Sequence, residues 1–269
     1  MTRYAEVIGD PIAHSKSPII HKFWLDALGI EGDYRRTQVL GDDLATYFAQ
    51  AKDDADWRGC NVTIPHKLAV MDLVGDPGGV RGTIGAMNTV IRGEDGALIG
   101  TNTDAGGFFS PIAGLELEGR HAVVVGAGGG ARAVLFALSR VGIGRVTILN
   151  RNVLKGAALL SSFGVKGDAL PVGATLPPAD LLVNASPLGM AGQPPLDLDL
   201  DPLPEHAVVY DIVYAPLETP LLAQARAREL DTVDGLEMLV GQAALAFELF
   251  FGAEPPRERD EELRALLTA

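Results

Sequence analysis

The sequence predicts an α/β protein of two domains, and three observations carry that reading. Short apolar runs alternate with helix-spaced segments almost from end to end. A continuous apolar run at 121–125, the kind buried on both faces of a sheet, feeds a Gly-rich turn and a second strand–helix series. The length of 269 residues is close to two domains of about 150 residues each.

In the first series, residues 4–8, 34–39, 60–63 and 87–91 read as strands. Residues 18–28, 43–51 and 67–74 carry helical spacing, with Ile19, Ile20, Phe23, Trp24 and Leu28 on one face. Ser17-Pro18 reads as a helix start, Ser17 as the N-cap and Pro18 in the first turn, with Gly29 as the stop. Glu94-Asp95-Gly96 between two apolar runs predicts one hairpin. The second series begins after Gly119, with strands at 121–125, 146–149, 181–184 and 208–212 and a helix at 131–141. The Pro-rich segments 171–178 and 194–204 read as surface loops. A long helical pattern follows Gly235 through Leu239, Ala243, Phe247 and Phe250, and a charged tail helix ends the chain. No internal repeat or low-complexity stretch is present.

Composition narrows the function. Lys and Arg total 22 against 35 Asp and Glu, a net charge of −13, so the long-range field repels phosphate and disfavours nucleic acid or an anionic membrane. An anionic ligand then needs a few local cations. With Cys60 as the only cysteine, no intramolecular disulfide can form, which points to a reducing compartment. Charged Glu6 near the N-terminus, without an apolar run behind it, speaks against a signal peptide. The most apolar stretch, 236–251, carries Glu237 and Glu248 and does not read as a membrane span. A cytoplasmic location is therefore expected. His14, His21, His66, His121 and His206 lack metal-ligand spacing, so no metal is expected. Cys60 reads as a small buried apolar residue.

Glycine is abundant, 32 residues against a usual level of about 7%, and it clusters where a ligand would need close backbone approach. Gly126-Ala127-Gly128-Gly129-Gly130-Ala131 follows a strand and opens a helix, the context of a dinucleotide loop. Gly126 permits the tight turn, Gly128 the approach of a pyrophosphate, and Ala131 close helix–strand packing. The phosphates would sit on the helix N–H groups. An NAD-binding domain usually ends its second strand with Asp or Glu, which accepts from the ribose 2′-OH. Here Asn150-Arg151 stands at that place, with Lys155 one turn on. A guanidinium holds a 2′-phosphate that a carboxylate would repel, so NADP is expected as cofactor.

Two further constellations are unusually specific for loops. Gly9-Asp10-Pro11-Ile12-Ala13-His14-Ser15-Lys16-Ser17-Pro18 puts two hydroxyls at a helix mouth. Gly59-Cys60-Asn61-Val62-Thr63-Ile64-Pro65-His66-Lys67 runs from a strand into a turn. Ile84-Gly85-Ala86-Met87-Asn88-Thr89 and Gly100-Thr101-Asn102-Thr103-Asp104 follow, again short polar groups at element ends.

These motifs resemble the shikimate dehydrogenase family. The resemblance continues through Asn184-Ala185-Ser186-Pro187-Leu188-Gly189-Met190, Tyr210-Asp211-Ile212-Val213-Tyr214 and Gly235-Leu236-Glu237-Met238-Leu239-Val240-Gly241-Gln242, in the family's order over nearly the whole chain. It implies reversible NADPH-dependent reduction of 3-dehydroshikimate to shikimate. It also implies a discontinuous substrate domain, 1–103 with 237–269, and a Rossmann-like NADP-binding domain with a mostly parallel sheet at 104–236. Carried over by position, Ser15 and Ser17 bind the substrate carboxylate. Thr63, Asn88, Asp104 and Gln242 bind the ring hydroxyls, with Asn61 and Tyr214 close by, and Lys67 and Asp104 form the catalytic pair. Ser186, Met190, Ile212, Gly235 and Met238 fall at cofactor positions, Gly235 and Met238 near the nicotinamide. The chain departs from the family at Lys22, where Asn is common, and at Ser186 and Asn152, where Thr is common.

The residue chemistry agrees independently. Hydride addition to a ketone develops negative charge on oxygen, which needs an acid or cation within hydrogen-bond reach. A lysine beside a carboxylate stays protonated and oriented for that task. The expected partner is the small-molecule substrate, in a monomer or homodimer. Three rivals share parts of the pattern: a quinate/shikimate dehydrogenase of broader substrate or NAD use, the cofactor domain of glutamyl-tRNA reductase, and a non-catalytic NADP-binding redox sensor. Asn150-Arg151 opposes NAD. The acidic charge and the 59–67 motif oppose the RNA-dependent reductase, and the Lys67, Asp104 and ring-binding set opposes the sensor.

Overall fold

A computed structural model describes residues 2–269. The chain divides into two compact units, Met1–Thr103 with Val240–Ala269, and Asp104–Leu239. The sequence places the second junction at residue 236; the structural division falls three residues later, inside one helix.

The first unit runs β1 (Tyr4–Gly9), α1 (Ser17–Leu28), β2 (Asp33–Gln38), α2 (Leu44–Asp53), β3 (Trp57–Val62), α3 (Val80–Thr83), β4 (Thr89–Arg92) and β5 (Leu98–Thr101). Its sheet has the order β2-β1-β3-β4-β5, with β1 parallel to β2 and β3. The last two strands run antiparallel, joined by the expected hairpin, where Gly96 takes φ 79° and Asp95 accepts from the Ala97 amide. This sheet is therefore mixed, not largely parallel as strand–helix alternation alone predicts. The tight Glu94–Gly96 turn leaves no room for the crossover that a parallel pair requires.

Ser17 is not an N-cap. It is the first residue of α1; Lys16 holds the cap position without a side-chain cap bond, and Ser15 Oγ accepts from the Ser17 amide at 3.3 Å. The stop at Gly29 is as expected, in the left-handed region at φ 64°. The helical spacing at 67–74 yields a turn and a short 3-10 segment at Ala69–Asp72 in place of an α-helix. The segment is too short to form a stable helix without packing along its length.

The second unit runs α4 (Asp104–Phe109), β6 (His121–Val125), α5 (Gly129–Arg140), β7 (Arg145–Leu149), α6 (Val153–Phe163), β8 (Gly167–Leu170), β9 (Leu181–Asn184), β10 (Val208–Asp211), α7 (Pro220–Ala227), β11 (Asp231–Val233) and the start of α8 (Gly235–Phe251). Every pairing is parallel, in the order β11-β10-β9-β6-β7-β8. Counted from β6, that is the doubly wound dinucleotide-binding order, with its switch point between β6 and β9. The central strands bury both faces. Ala122 and Val124 join one apolar layer with Val134 and Leu138, while Val123 and Val125 join the other with Leu182 and Val209.

The Pro-rich segment 194–204 is irregular, as expected, but it is not simply surface. Leu196, Leu198, Leu200 and Leu203 are buried in the second layer. They cover a sheet face where a crossover helix would otherwise lie. Proline blocked the helical pattern in the sequence without removing the apolar side chains that do the covering. The chain ends with α9 (Asp260–Thr268) in the first unit, where Lys16 Nζ donates to the Leu267 carbonyl. No helix among the described residues is long and apolar enough to cross a membrane.

Candidate active site

In the first unit the expected substrate residues lie in and after the ends of β1 and β3, at Asn88 just before β4, and at Gln242 on α8. Gly9 lets two of these segments meet. A Cβ there would come within 2.6 Å of Thr63 Cγ2 and 2.9 Å of the Ile64 carbonyl. The Thr63 amide donates to Ile8 O at 2.9 Å, and the Met87 amide donates to Lys67 O at 2.8 Å, so the 63–67 turn is pinned on both sides. Arg36 Nε donates to Ser15 O at 2.7 Å and braces the serine loop.

The polar side chains form two hydrogen-bonded groups, a serine pair and a longer chain. Ser15 Oγ donates to Ser17 Oγ at 3.2 Å. Tyr34, buried in β2, donates its hydroxyl to Asn61 Oδ1 at 2.6 Å. Asn61 Nδ2 donates to Thr89 Oγ1 at 3.0 Å, and Thr89 Oγ1 donates to Asn88 Oδ1 at 3.1 Å. Asn88 Nδ2 reaches Thr103 Oγ1 at 2.9 Å and Gln242 Oε1 at 3.3 Å. Ser15, Ser17, Asn61, Asn88 and Gln242 are all buried, and polar groups in such a setting are tolerated only when bonded. Thr63 and Lys67 are half-buried, and His66 turns away to Val39 O, 2.6 Å from its Nε2.

Behind this chain lies His21, fully buried, its ring stacked on Tyr34 with centroids 3.9 Å apart. Neither of its nitrogens has a hydrogen-bond partner, and burial pushes its pKa down to about 3, so it is neutral. Burial likewise pushes the Tyr34 hydroxyl well above its ordinary value, so it stays a donor. Burial also pushes the Cys60 thiol up, which makes it inert. Lys22 pairs with Asp33 at 3.2 Å on the solvent side, so this departure from the family adds a surface ion pair.

In the second unit, Asp104 is the buried first residue of α4. The Gly-rich turn joins β6 to α5. Gly126 takes φ 105°, and a Cβ there would lie 2.9 Å from the Ala185 carbonyl. Gly128 is extended at the N-cap of α5, and a Cβ there would meet no atom within 4 Å. The space above the turn is therefore open to a phosphate, with the amides of Gly129, Gly130 and Ala131 at the helix mouth. Ala127 and Ala131 are buried in the apolar layer. Ile212 leans on Gly130, 3.0 Å from where its Cβ would be. At the end of β7, Asn150 Nδ2 donates to Asn152 O at 2.8 Å, and Arg151 and Lys155 are exposed with no acid between them. Asn152 accepts from the Lys155 amide at 3.1 Å and caps α6. The donor set fits NADP: an open backbone cradle and cations where a 2′-phosphate would lie.

At the switch point, buried Asn184 Oδ1 accepts from the amide and hydroxyl of Ser186, and its Nδ2 donates to Asp211 Oδ1 and Leu188 O, both at 2.9 Å. Asp211 Oδ2 accepts from Thr219 at 2.7 Å; burial pushes the Asp211 carboxyl up against these bonds. Met190 is exposed, Tyr214 is half-buried, Gly235 opens α8 against the Val213 carbonyl, and Met238 is buried in the apolar layer of its own unit.

Sequence reasoning assigned no role to Tyr34, Thr89, Thr103, Asp211 or Thr219. Thr89 and Thr103 sat inside motifs already marked by their polarity, so the signal was present. Tyr34 lies in a strand of mixed charge and gave none. Among the described residues, no group of three or more His, Cys, Asp or Glu side chains is placed to hold a metal.

The chain is similar to known proteins over nearly its whole length. The family model for the shikimate dehydrogenase substrate binding domain matches residues 7–90, and that for the shikimate 5′-dehydrogenase C-terminal domain matches residues 235–263. The shikimate dehydrogenase (NADP(+)) of Sphingopyxis alaskensis is 70% identical, over 99% of this chain and 97% of that one. The crystal structure of shikimate 5-dehydrogenase from Thermus thermophilus in complex with NADP(H) and shikimate has a TM-score of 0.85 at 38% identity, covering 99% of this chain and 100% of that one. A quinate dehydrogenase from Corynebacterium glutamicum, solved with NAD, has a TM-score of 0.86 at 32% identity, covering 98% and 97%. With identity of this extent spanning both units, the chain belongs to the shikimate dehydrogenase family.

Proposed function

We propose that this protein catalyses the reversible NADPH-dependent reduction of 3-dehydroshikimate to shikimate, with the first unit supplying most of the substrate ligands and the second the cofactor site together with Asp104 and Tyr214. The observation that carries this reading is the buried polar set of the first unit, the Ser15–Ser17 pair and the hydrogen-bonded chain from Tyr34 to Gln242, which suits a small polyhydroxylated acid. NADPH, when bound, supplies the hydride.

Ser15 and Ser17 donate to the substrate carboxylate. Thr63, Asn88, Asp104 and Gln242 grip the ring hydroxyls, with Asn61 and Tyr214 beside them. The Lys67 ammonium donates to the ketone oxygen as negative charge develops there, and Asp104 orients the ammonium and accepts from a neighbouring hydroxyl. Gly126 to Ala131 cradle the pyrophosphate, while Asn150, Arg151 and Lys155 hold the adenosine end and its 2′-phosphate. Ser186, Met190, Ile212, Gly235 and Met238 line the remainder of the cofactor path. The enzyme works in the cytoplasm as a monomer or homodimer, without metal, nucleic acid or membrane.

A spectrophotometric assay of NADP⁺ reduction by shikimate tests the reading. Turnover with shikimate and NADP⁺ far above that with quinate or NAD⁺ is expected. Preference for quinate with NAD⁺ would move the chain to its quinate-oxidising relatives, and the absence of any turnover would overturn the assignment.

A further inference from the structure

The polar chain of the first unit has a direction, and one residue outside the expected substrate set imposes it. An asparagine amide presents one acceptor and one double donor that differ little in shape. In Asn61 the acceptor faces the Tyr34 hydroxyl at 2.6 Å, while the donor faces Thr89 Oγ1 at 3.0 Å and the Asn88 carbonyl at 3.4 Å. A flipped amide would set its oxygen against that carbonyl, which already accepts from the Val62 amide at 2.7 Å, and would turn its NH2 toward the Tyr34 hydroxyl. Thr89 commits its own hydrogen to Asn88 Oδ1, so it can only accept from Asn61. Donation therefore runs from Tyr34 to Asn61 to Thr89 to Asn88; beyond that point Asn88 donates to Thr103 and Gln242 and accepts in return from the Thr103 amide and hydroxyl.

Tyr34 cannot drift from this task. It is 1% exposed, clamped face to face on His21, with Phe250 at 6.4 Å between centroids. The Ser17 hydroxyl lies beside it, and Ser17 in turn accepts from Ser15.

We propose that Tyr34 is a positioning residue for substrate binding: its hydroxyl locks the Asn61 amide in one orientation and so keeps the serine loop and the ring-binding amides in a single mutual register. This rests on the reading of Asn61, Asn88 and Gln242 as substrate ligands. The chain is set before the substrate arrives, so the contribution falls on substrate affinity and leaves the cofactor untouched.

A double-mutant cycle with shikimate and NADP⁺ tests it. Tyr34→Phe keeps the ring and its stacking and removes only the hydroxyl. The shikimate KM is expected to rise about tenfold, the loss of one buried hydrogen bond, with the NADP⁺ KM unchanged and kcat affected less than KM. Asn61→Ala should raise the same KM, and the double variant should be no worse than Asn61→Ala alone, because Tyr34 acts through Asn61. If Asn61→Ala weakens shikimate binding while Tyr34→Phe does not, or if the two effects multiply, the proposal is overturned with the site reading intact. If Asn61→Ala leaves the shikimate KM unchanged, the site reading is overturned and the proposal with it. Should Asn61→Ala not fold, the NMR signals of the Asn61 side-chain amide in Tyr34→Phe decide the matter. Faster exchange or a second amide orientation is expected, and an unchanged pair of signals overturns the proposal.

Discussion

The two units build their sites from opposite materials. In the first, the working groups are buried side chains that satisfy one another, from Ser15 through Asn61 and Asn88 to Gln242. In the second, the working surface is backbone, a glycine turn left open above the α5 mouth, with exposed Arg151 and Lys155 beyond it. The difference predicts how each fails. A side-chain network is broken by deleting atoms, because a lost partner leaves a buried polar group unpaired. A backbone cradle is broken by adding atoms, because its function is empty space and an unusual φ.

The largest effect is expected from a deletion in the first unit. Lys67→Ala removes the proton donor, so kcat should fall by about three orders of magnitude while the NADPH dissociation constant, read by fluorescence titration, stays within a factor of about two. Next comes a change of sign in the second unit. Arg151→Asp replaces a charge-assisted bond to the 2′-phosphate by repulsion, and the NADPH KM should rise by about a hundredfold with the shikimate KM unchanged. An addition follows. Gly126→Ala puts a methyl at φ 105° against the Ala185 carbonyl, and chemical denaturation should show a loss of about 1–3 kcal/mol together with weaker NADPH binding.

A pH effect, comparable in size over its range but small per pH unit, comes last. His21 is neutral in the folded chain, with its pKa down from 6.5 to about 3. Between those values the unfolded chain binds a proton that the folded chain refuses. The stability is therefore complete above pH 6.5 and is lost as the pH falls toward 3, at up to about 1.4 kcal/mol per pH unit. His21→Phe, which keeps a ring over Tyr34, should flatten denaturation midpoints measured between about pH 6.5 and 4. An equally steep acid limb would place the acid sensitivity elsewhere.

The same contrast governs how much was legible in the sequence. The second unit was readable nearly residue by residue, because strand, Gly126 to Ala131 and helix are adjacent in the chain and each glycine answers a local backbone demand. The absence of an acid at Arg151 was likewise a local fact. The first unit showed its polar groups but not their wiring. Tyr34 and Asn61 are 27 positions apart and meet only because β1 lies between β2 and β3 in a parallel arrangement. Ser17 read as a helix cap on local propensity alone, and the structure starts the helix one position earlier because Lys16 takes the cap position. The 194–204 segment shows the same limit. Its prolines announced irregular backbone, while the burial of Leu196 to Leu203 depends on a sheet face that no local pattern reveals.

Titration of the ¹⁵N-labelled protein, followed through its amide signals, tests the division of labour most directly. Shikimate alone should shift Ser15, Ser17, Asn61 and Thr89 and leave Gly128 to Ala131 in place, and NADP⁺ alone should do the reverse. Shikimate shifting the glycine turn while the Ser15–Asn61 signals stay still would contradict the account.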